Sequence, residues 1–163
     1  LVQDWKEEND EYDGLIYMMY TVDQGMVVPF YIGKTETIGK KDRNLSVNIQ
    51  NLHHDKSKFA RWGNNYAYHI GDLSAVVIPG HDRNKQTTKY FAWANSLFES
   101  TPSTHPKLRQ EVLFWATAWC GTNVGIWQEF GPTHLTFLEY LLIGVASAVF
   151  PGVLLNREGQ NRT

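Results

Sequence analysis

The chain has 163 residues, with 15 Lys and Arg against 17 Asp and Glu, and its formal net charge is −2 at pH 7. That length suits one domain, and 42% hydrophobic with 20% charged residues excludes a fully disordered chain. The weakly acidic balance gives no bulk signal for nucleic-acid binding. The single cysteine, Cys120, excludes an internal disulfide framework and a zinc site of four cysteines, and it fits the reducing cytoplasm.

The first part of the chain predicts a β-hairpin behind an acidic lead-in. Residues 1–13 are polar and acidic, and we expect them to be extended or partly helical. Residues 15–21 and 26–32 are rich in β-branched and aromatic side chains and flank a short turn containing glycine, which predicts two antiparallel strands. Pro29 predicts an edge position or a bulge in the second strand.

The middle of the chain predicts loops and helices. Residues 34–41 are polar and predict a loop, and residues 43–53 predict a helix with its apolar positions on one side. Residues 73–78 are a short apolar run that fits a strand or the end of a helix. Residues 87–98 have the periodicity of a helix.

The last third of the chain predicts a strand and a long apolar helix. Residues 112–119 predict a central strand, with a helix as the alternative. Thr133 is the expected N-cap of a helix over 135–149, and residues 153–156 are expected to be a short extended tail. The apolar stretch is too short for a membrane span, which needs about 20 apolar residues. The order of elements predicts a small α+β or three-layer domain around a short mixed or antiparallel sheet.

Two tyrosines on the predicted hairpin are the first candidate site residues. Tyr17 and Tyr31 stand on paired strands, where they can converge on one point of the sheet, and a phenol there can orient a water or take its proton. Gly33 allows a tight turn or the close approach of a ligand, and Lys34 at the strand end is placed for a phosphate. The alternative is that both tyrosines are ordinary strand aromatics.

A single carboxylate, Glu139, interrupts the apolar helix predicted for 135–149. Phe, Leu and Tyr residues flank it, and burying it costs free energy unless it is paired, binds a metal or faces a cleft. One carboxylate together with substrate phosphate and waters is a common arrangement for magnesium. The alternative is that Glu139 lies on the solvated side and supports the helix dipole near the N-terminus.

Three landmarks, in this order, resemble the GIY-YIG nuclease superfamily. Residues 15–17 (Leu-Ile-Tyr) stand where the family has Gly-Ile-Tyr, and residues 31–34 (Tyr-Ile-Gly-Lys) reproduce the second half of the signature. Residues 138–143, followed by Pro151 and Asn156, resemble the family's closing helix with its glutamate, its Leu-Ile pair, its proline and its asparagine.

The resemblance implies a domain organisation around the two ends of the chain. It covers about residues 14–35 and 112–157, and residues 62–108 resemble the insertion of restriction-enzyme members. We therefore expect one nuclease domain over 14–157, followed by a frayed tail over 158–163. The implied fold is a small α+β sandwich in which a short, mostly antiparallel sheet, made of the hairpin and a third strand, is flanked by helices.

The resemblance also implies a role for each matched residue. Tyr17 and Tyr31 would flank the scissile phosphate, with Tyr17 as the general base, aided by Lys34, and Tyr31 as a positioning or stabilising group. Glu139 would hold a divalent metal ion, magnesium or manganese, that stabilises the charge at the phosphate and at the leaving 3′-oxygen. Asn156 would bind the active-site backbone or the substrate.

The family has a catalytic arginine on the helix after the second strand, and two arginines of this chain are candidates. Arg61 lies among aromatic and amide residues and is the preferred candidate, whereas Arg43 has the separation from Tyr31 that minimal members show. Arginine suits this role because its planar guanidinium binds phosphate through two hydrogen bonds and stays charged. His69 is a candidate proton donor or phosphate ligand, or a structural histidine.

Basic residues are concentrated between positions 34 and 61 of this net-acidic chain. Their density favours a face that contacts DNA phosphates, with an ordinary solvated surface as the alternative. The candidate DNA contacts outside the catalytic set are Lys40, Lys41, Lys56 and Lys58.

The sequence therefore predicts a metal-dependent endonuclease that hydrolyses DNA phosphodiester bonds, and the insertion favours a role in restriction or phage defence. The alternatives are a catalytically weak nucleic-acid-binding module on the same scaffold, a nuclease domain of a larger repair or mobile-element protein, and an interaction domain whose aromatics are all core. The slightly negative charge predicts weak, salt-sensitive DNA binding. We expect help from a second copy in a homodimer or from a further domain of a longer chain, and no membrane partner.

Overall fold

The computed structural model describes residues 1–9, 11–36, 45, 47–51, 54–55, 73–81, 84, 86–120, 122 and 134–161. Over these residues the elements follow in the order α1 (Val2–Glu7), β1 (Gly14–Asp23), β2 (Met26–Glu36), α2 (Val47–Gln50), α3 (Leu73–Val77), α4 (Thr88–Leu97), β3 (Leu113–Trp119) and α5 (Leu135–Val149).

The chain divides into two compact units. The first consists of Leu1–Ser46 and Leu113–Thr163, and the second is Val47–Val112. The predicted insertion, 62–108, falls within the second unit. The hairpin, the third strand and the long helix all belong to the first unit.

Strands β1 and β2 form the predicted hairpin. They pair antiparallel and are joined by Gln24 and Gly25, which have φ angles of 51° and 80°. A two-residue turn with both φ angles positive matches the right-handed twist of the strands it joins. The prediction of a hairpin with a short glycine turn is confirmed.

The second strand is longer than the sequence predicted. Residues 34–36, which were expected to begin a loop, belong to the strand, because Thr35 pairs with Leu15 and Glu36 pairs with Gly14. A side chain at Gly14 would collide with the backbone of Thr35 and Glu36. Because Gly14 has no side chain, it can pair with Glu36 at the end of the ladder. The polar composition of residues 34–36 did not reveal this extension of the strand.

Pro29 marks an irregularity on an edge strand, as predicted. Met19 pairs with Tyr31 but Tyr20 pairs with Pro29, so Phe30 is an extra residue on β2. Proline has no N–H for the ladder, and both an edge position and a bulge accommodate it. The sheet order β2-β1-β3 places β2 at an edge.

Strand β3 was predicted to be central, and this was wrong: β1 is central, and β3 pairs antiparallel with its other side. The burial of side chains explains the difference. In β1, Ile16 and Met19 are each only 1% exposed although they point to opposite faces, whereas Trp115 of β3 is 45% exposed. The predicted fold class is confirmed as a small α+β fold, with a three-stranded antiparallel sheet and flanking helices.

Helix α5 covers one face of the sheet. Ile16 of β1 and Ile32 of β2 form a buried cluster with Ile143 of α5 and Leu154 of the tail. Each such side chain, when fully buried, contributes about 1.5–3 kcal/mol relative to exposure. The helix has the predicted bounds, although its N-cap is His134 and not the expected Thr133. In the parts of the chain that are described, no helix is long and apolar enough to cross a membrane.

The second unit is organised around α3 and α4. The apolar run that fitted either a strand or a helix end is helix α3, and all of its residues are buried. Helix α4 has the predicted periodicity, and the Thr87 hydroxyl caps it by accepting a hydrogen bond from the Tyr90 amide at 3.4 Å. Trp93 and Leu97 lie on its buried side.

Candidate active site

The structure brings Tyr17 and Tyr31 together on one face of the sheet. Their ring centroids are 6.0 Å apart, with an angle of 42° between the ring planes. Tyr17 lies opposite Gly33 in the β1–β2 register, and Tyr31 precedes Gly33 by two residues on β2. Because alternate residues of a strand share a face, both rings extend over Gly33.

Gly33 makes this convergence possible. A Cβ atom at position 33 would lie 2.6 Å from Tyr17 Cζ, 2.7 Å from Tyr17 Oη and 2.7 Å from Tyr31 Cε1. The sequence suggested that this glycine allows close approach of a ligand. In the structure the two phenol rings take that space, so the glycine sets how near they come.

Phe114 of β3 is a site residue that the sequence analysis missed. Its ring stacks on that of Tyr17, with centroids 5.4 Å apart and planes 24° apart. Tyr31, Tyr17 and Phe114 therefore form a row of rings across all three strands. Only the register of β3 against β1, which pairs Phe114 with Met19, places this ring beside Tyr17.

Asn156 binds the backbone of β2 at Ile32, which lies between Tyr31 and Gly33. Its Oδ1 accepts a hydrogen bond from the Ile32 amide at 3.0 Å, and its Nδ2 donates to the Ile32 carbonyl at 2.7 Å. Leu155 also donates to the Phe30 carbonyl at 2.7 Å. The tail thus pairs with the outer edge of β2 and fixes the backbone that carries Tyr31 and Gly33. Of the two implied roles, these contacts favour backbone binding over substrate binding.

Lys34 is paired with a carboxylate that the sequence analysis did not single out. Lys34 Nζ lies 2.5 Å from Glu36 Oε1, and the Thr136 hydroxyl donates to the same oxygen at 3.1 Å. Lys34 and Glu36 are two residues apart on β2 and share a face. That alternation was a signal available from the sequence, provided that the strand was known to extend to residue 36.

The surroundings of Glu36 keep it charged. The Lys34 ammonium lowers the pKa of the Glu36 carboxyl from its usual value; partial burial opposes this, and the hydrogen bond from Thr136 adds to it. The Glu36 side chain is 41% exposed, so water screens the pair and it contributes about 0.2–1 kcal/mol. A recess of about 130 Å³ beside this pair is lined by Asp13, Glu36, His134 and Leu135.

Glu139 lies on the side of α5 that packs toward the sheet. One turn before it and one turn after it, Leu135 and Ile143 are only 2% and 3% exposed. A spacing of four residues places these three side chains on one side of the helix. Glu139 itself is half-buried, which argues against the alternative in which it lies on the solvated side. A carboxylate so placed requires a compensating cation or hydrogen-bond donor.

Tyr140, the neighbour of Glu139, contacts the segment that follows α5. It is exposed, and its hydroxyl donates to Glu158 Oε2 at 2.8 Å. That hydrogen bond raises the pKa of the Tyr140 phenol, so this tyrosine is a poor source of phenolate. The contact instead holds the tail against α5.

The candidate residues fall on two faces of the sheet. Tyr31 and Gly33 point to one face, and Ile32 and Lys34, which alternate with them, point to the face that α5 covers. The structure therefore brings neither Lys34 nor α5, the helix that carries Glu139, to the face of the two phenols. The contact of Lys34 among the described residues is with Glu36.

The remaining candidates lie outside the described residues. These are both candidate arginines, Arg43 and Arg61, together with His69, Lys40, Lys41, Lys56 and Lys58.

Comparisons with protein-family models, with curated proteins and with solved structures find no match to this chain. No relative therefore suggests a function, and a function is inferred from the geometry of the site.

Proposed function

We propose that this chain is a metal-dependent endonuclease that hydrolyses DNA phosphodiester bonds, with Tyr17 and Tyr31 flanking the scissile phosphate. The observation that carries the proposal is the convergence of these two phenols over Gly33. Two phenols on one face of the sheet suit a tetrahedral phosphate, because one hydroxyl can act on the attacking water while the other stabilises a phosphate oxygen.

Tyr17 is the proposed general base. In its phenolate form it takes the proton of the water whose oxygen attacks phosphorus, and the bond from phosphorus to the 3′-oxygen breaks. An ordinary phenol has a pKa of about 10, so a nearby cation must favour the phenolate at neutral pH. Arg61, with Arg43 as the alternative, is the proposed source of that charge. Phe114 holds the Tyr17 ring in place by stacking.

Glu139 is the proposed ligand of the metal ion because the resemblance implies that role, and the helix that carries it packs on the sheet face opposite the two phenols. In the described parts of the chain, no group of three or more His, Cys, Asp or Glu side chains could hold a metal ion. The residues fit the simpler arrangement of one half-buried carboxylate, with substrate phosphate and waters completing the shell. When bound, magnesium or manganese would stabilise negative charge that develops on phosphate oxygens.

The aromatic row supports a second candidate function, a nucleic-acid-binding module without catalysis. Rings from three adjacent strands lie side by side, and aromatic side chains are the groups on which bases stack in single-strand binding proteins. The two functions differ in what they require. Stacking needs the rings alone, whereas hydrolysis needs the Tyr17 hydroxyl and the Glu139 carboxylate.

A plasmid nicking assay with magnesium separates the two functions. We expect the wild-type chain to cut, and Tyr17→Phe and Glu139→Ala to lose cutting by at least about 100-fold, because each removes a group proposed to act in the transition state. Tyr20→Phe is the matched control, since it removes a hydroxyl from the same strand outside the row of rings. Equal cutting by all four proteins would refute the site. Binding of single-stranded DNA without cutting, under any divalent metal, would favour the stacking module.

A further inference from the structure

Glu36 joins two elements of the first unit that carry proposed site residues. One of its oxygens accepts from Lys34 on the same strand and from Thr136 on α5. These contacts bridge 100 residues of sequence between β2 and the first turn of the helix. A single carboxylate oxygen thus fixes the Lys34 side chain relative to α5.

Thr136 connects this contact to Glu139. The two residues are three apart in α5, a separation that places them on neighbouring positions of one side of a helix. A shift of the first helical turn at Thr136 would therefore move the carboxylate of Glu139 as well. The sheet end is equally constrained, because Glu36 lies opposite Gly14, where β1 and β2 come into close backbone contact.

We propose that Glu36 is a positioning residue of the site, whose carboxylate clasps Lys34 to Thr136 and so holds the turn of α5 that carries Glu139. This inference rests on the proposed nuclease function and adds to it a residue outside the family signature. The clasp consists of Lys34, Glu36 and Thr136. It acts on the arrangement of the site and contributes little to stability, since the Glu36 side chain is 41% exposed and Thr136 is exposed, so that water screens the contacts.

The clasp can be taken apart one contact at a time. Thr136→Val keeps the shape of the side chain and removes the hydroxyl, whereas Thr136→Ser keeps the hydroxyl and serves as the rescue. Glu36→Gln keeps an oxygen that accepts a hydrogen bond but removes the charge that holds Lys34. Glu111→Gln is the control for charge, because it removes an exposed carboxylate from the second unit.

Steady-state nicking kinetics test the positioning role. We expect Thr136→Val and Glu36→Gln to lower kcat by about tenfold, with KM unchanged or lower and with more magnesium needed for half-maximal rate. Thr136→Ser and Glu111→Gln should retain the wild-type kcat. A lower KM with unchanged kcat would mean that Glu36 only repels DNA, and a lower melting temperature with unchanged kcat would mean that the clasp is only structural. Either result overturns the proposal.

A nuclear magnetic resonance measurement tests the clasp without activity. The ammonium protons of Lys34, observed through their ¹⁵N signal, should exchange with water several times faster in Glu36→Gln than in the wild type, because the ion pair that shields them is lost. Equal exchange rates would refute the clasp. If the wild-type chain cuts no DNA, the proposed function fails and the positioning role with it, while the exchange rates still decide whether Glu36 holds Lys34.

Discussion

The two faces of the small sheet differ in what their side chains do. On one face, the rings of Tyr17 and Tyr31 lie over Gly33 with their centroids 6.0 Å apart. On the other face, Ile16 and Ile32 are buried under α5. One short segment of β2 therefore supplies side chains to both faces, because consecutive residues of a strand alternate between them.

The alternation makes the register of β2 decisive. A slip of one residue would exchange the tyrosine and isoleucine positions between the two faces. Asn156 opposes such a slip, because both of its hydrogen bonds are made to the backbone of one residue, Ile32, of the edge strand. Two residues that are 124 positions apart in the sequence thus determine together which face the tyrosines occupy.

The largest effect is expected from Gly33→Ala, which should displace the rings of Tyr17 and Tyr31 and leave the face under α5 unchanged. The added methyl would lie 2.6 Å from Tyr17 Cζ, so both rings must move. We expect nicking to fall by about 100-fold, because displacements near 1 Å at a reacting group have that cost. Gly144→Ala on α5 is the control, since its methyl would meet only Gly159 O at an ordinary 3.7 Å. Similar activity in both variants would contradict the role given to Gly33.

A smaller effect is expected from Asn156→Ala, which should weaken both faces at once. It leaves the buried amide and carbonyl of Ile32 without their partner and should lower the free energy of unfolding by about 1–3 kcal/mol. Urea unfolding measures the loss. Asn161→Ala, an exposed change in the same tail, is the control. An unfolding free energy equal to that of the wild type would show that the edge pairing contributes nothing.

The smallest effect is expected from Glu36→Gln, on the face of the sheet that α5 covers, and it is a pH-dependent change in the free energy of unfolding. Because Lys34 lowers the Glu36 pKa in the folded state, its stabilisation is present at neutral pH and is lost as the pH falls through the ordinary value of 4.5 and below. Asp13 and His134 line the same recess and are unchanged in the variant. The difference in unfolding free energy between wild type and variant should therefore shrink from under about 1 kcal/mol at pH 7 toward zero near pH 3. A difference that is constant with pH would contradict the ion pair.

Much of the fold followed from local patterns. The β-branched runs on either side of a glycine turn gave the hairpin, and Pro29 indicated both the bulge and the edge, because proline cannot complete a ladder. The apolar stretch with Glu139 gave α5 at its observed bounds. The position of β3 did not follow, since its β-forming composition is equally compatible with the centre or the edge of a sheet.

The candidate site was predicted unevenly. Tyr17, Tyr31 and Gly33 could be named because strand alternation and pairing bring them to one face. Glu36 and Phe114 were missed, since their importance comes from Thr136 and Tyr17, which belong to other elements. The expected cooperation of Lys34 with Tyr17 stays a prediction without support from the described geometry.

The sequence by itself determined the hairpin and helix α5, the residues available for chemistry and the faces on which a strand presents them, because these depend on periods of two and of about 3.6 residues. Only the tertiary structure decided which residues meet. The order β2-β1-β3, the stacking of Phe114 on Tyr17 and the pairing of Asn156 with Ile32 all join distant parts of the chain. Such contacts arise from packing and from the need to satisfy buried backbone groups, and no local pattern encodes their partners.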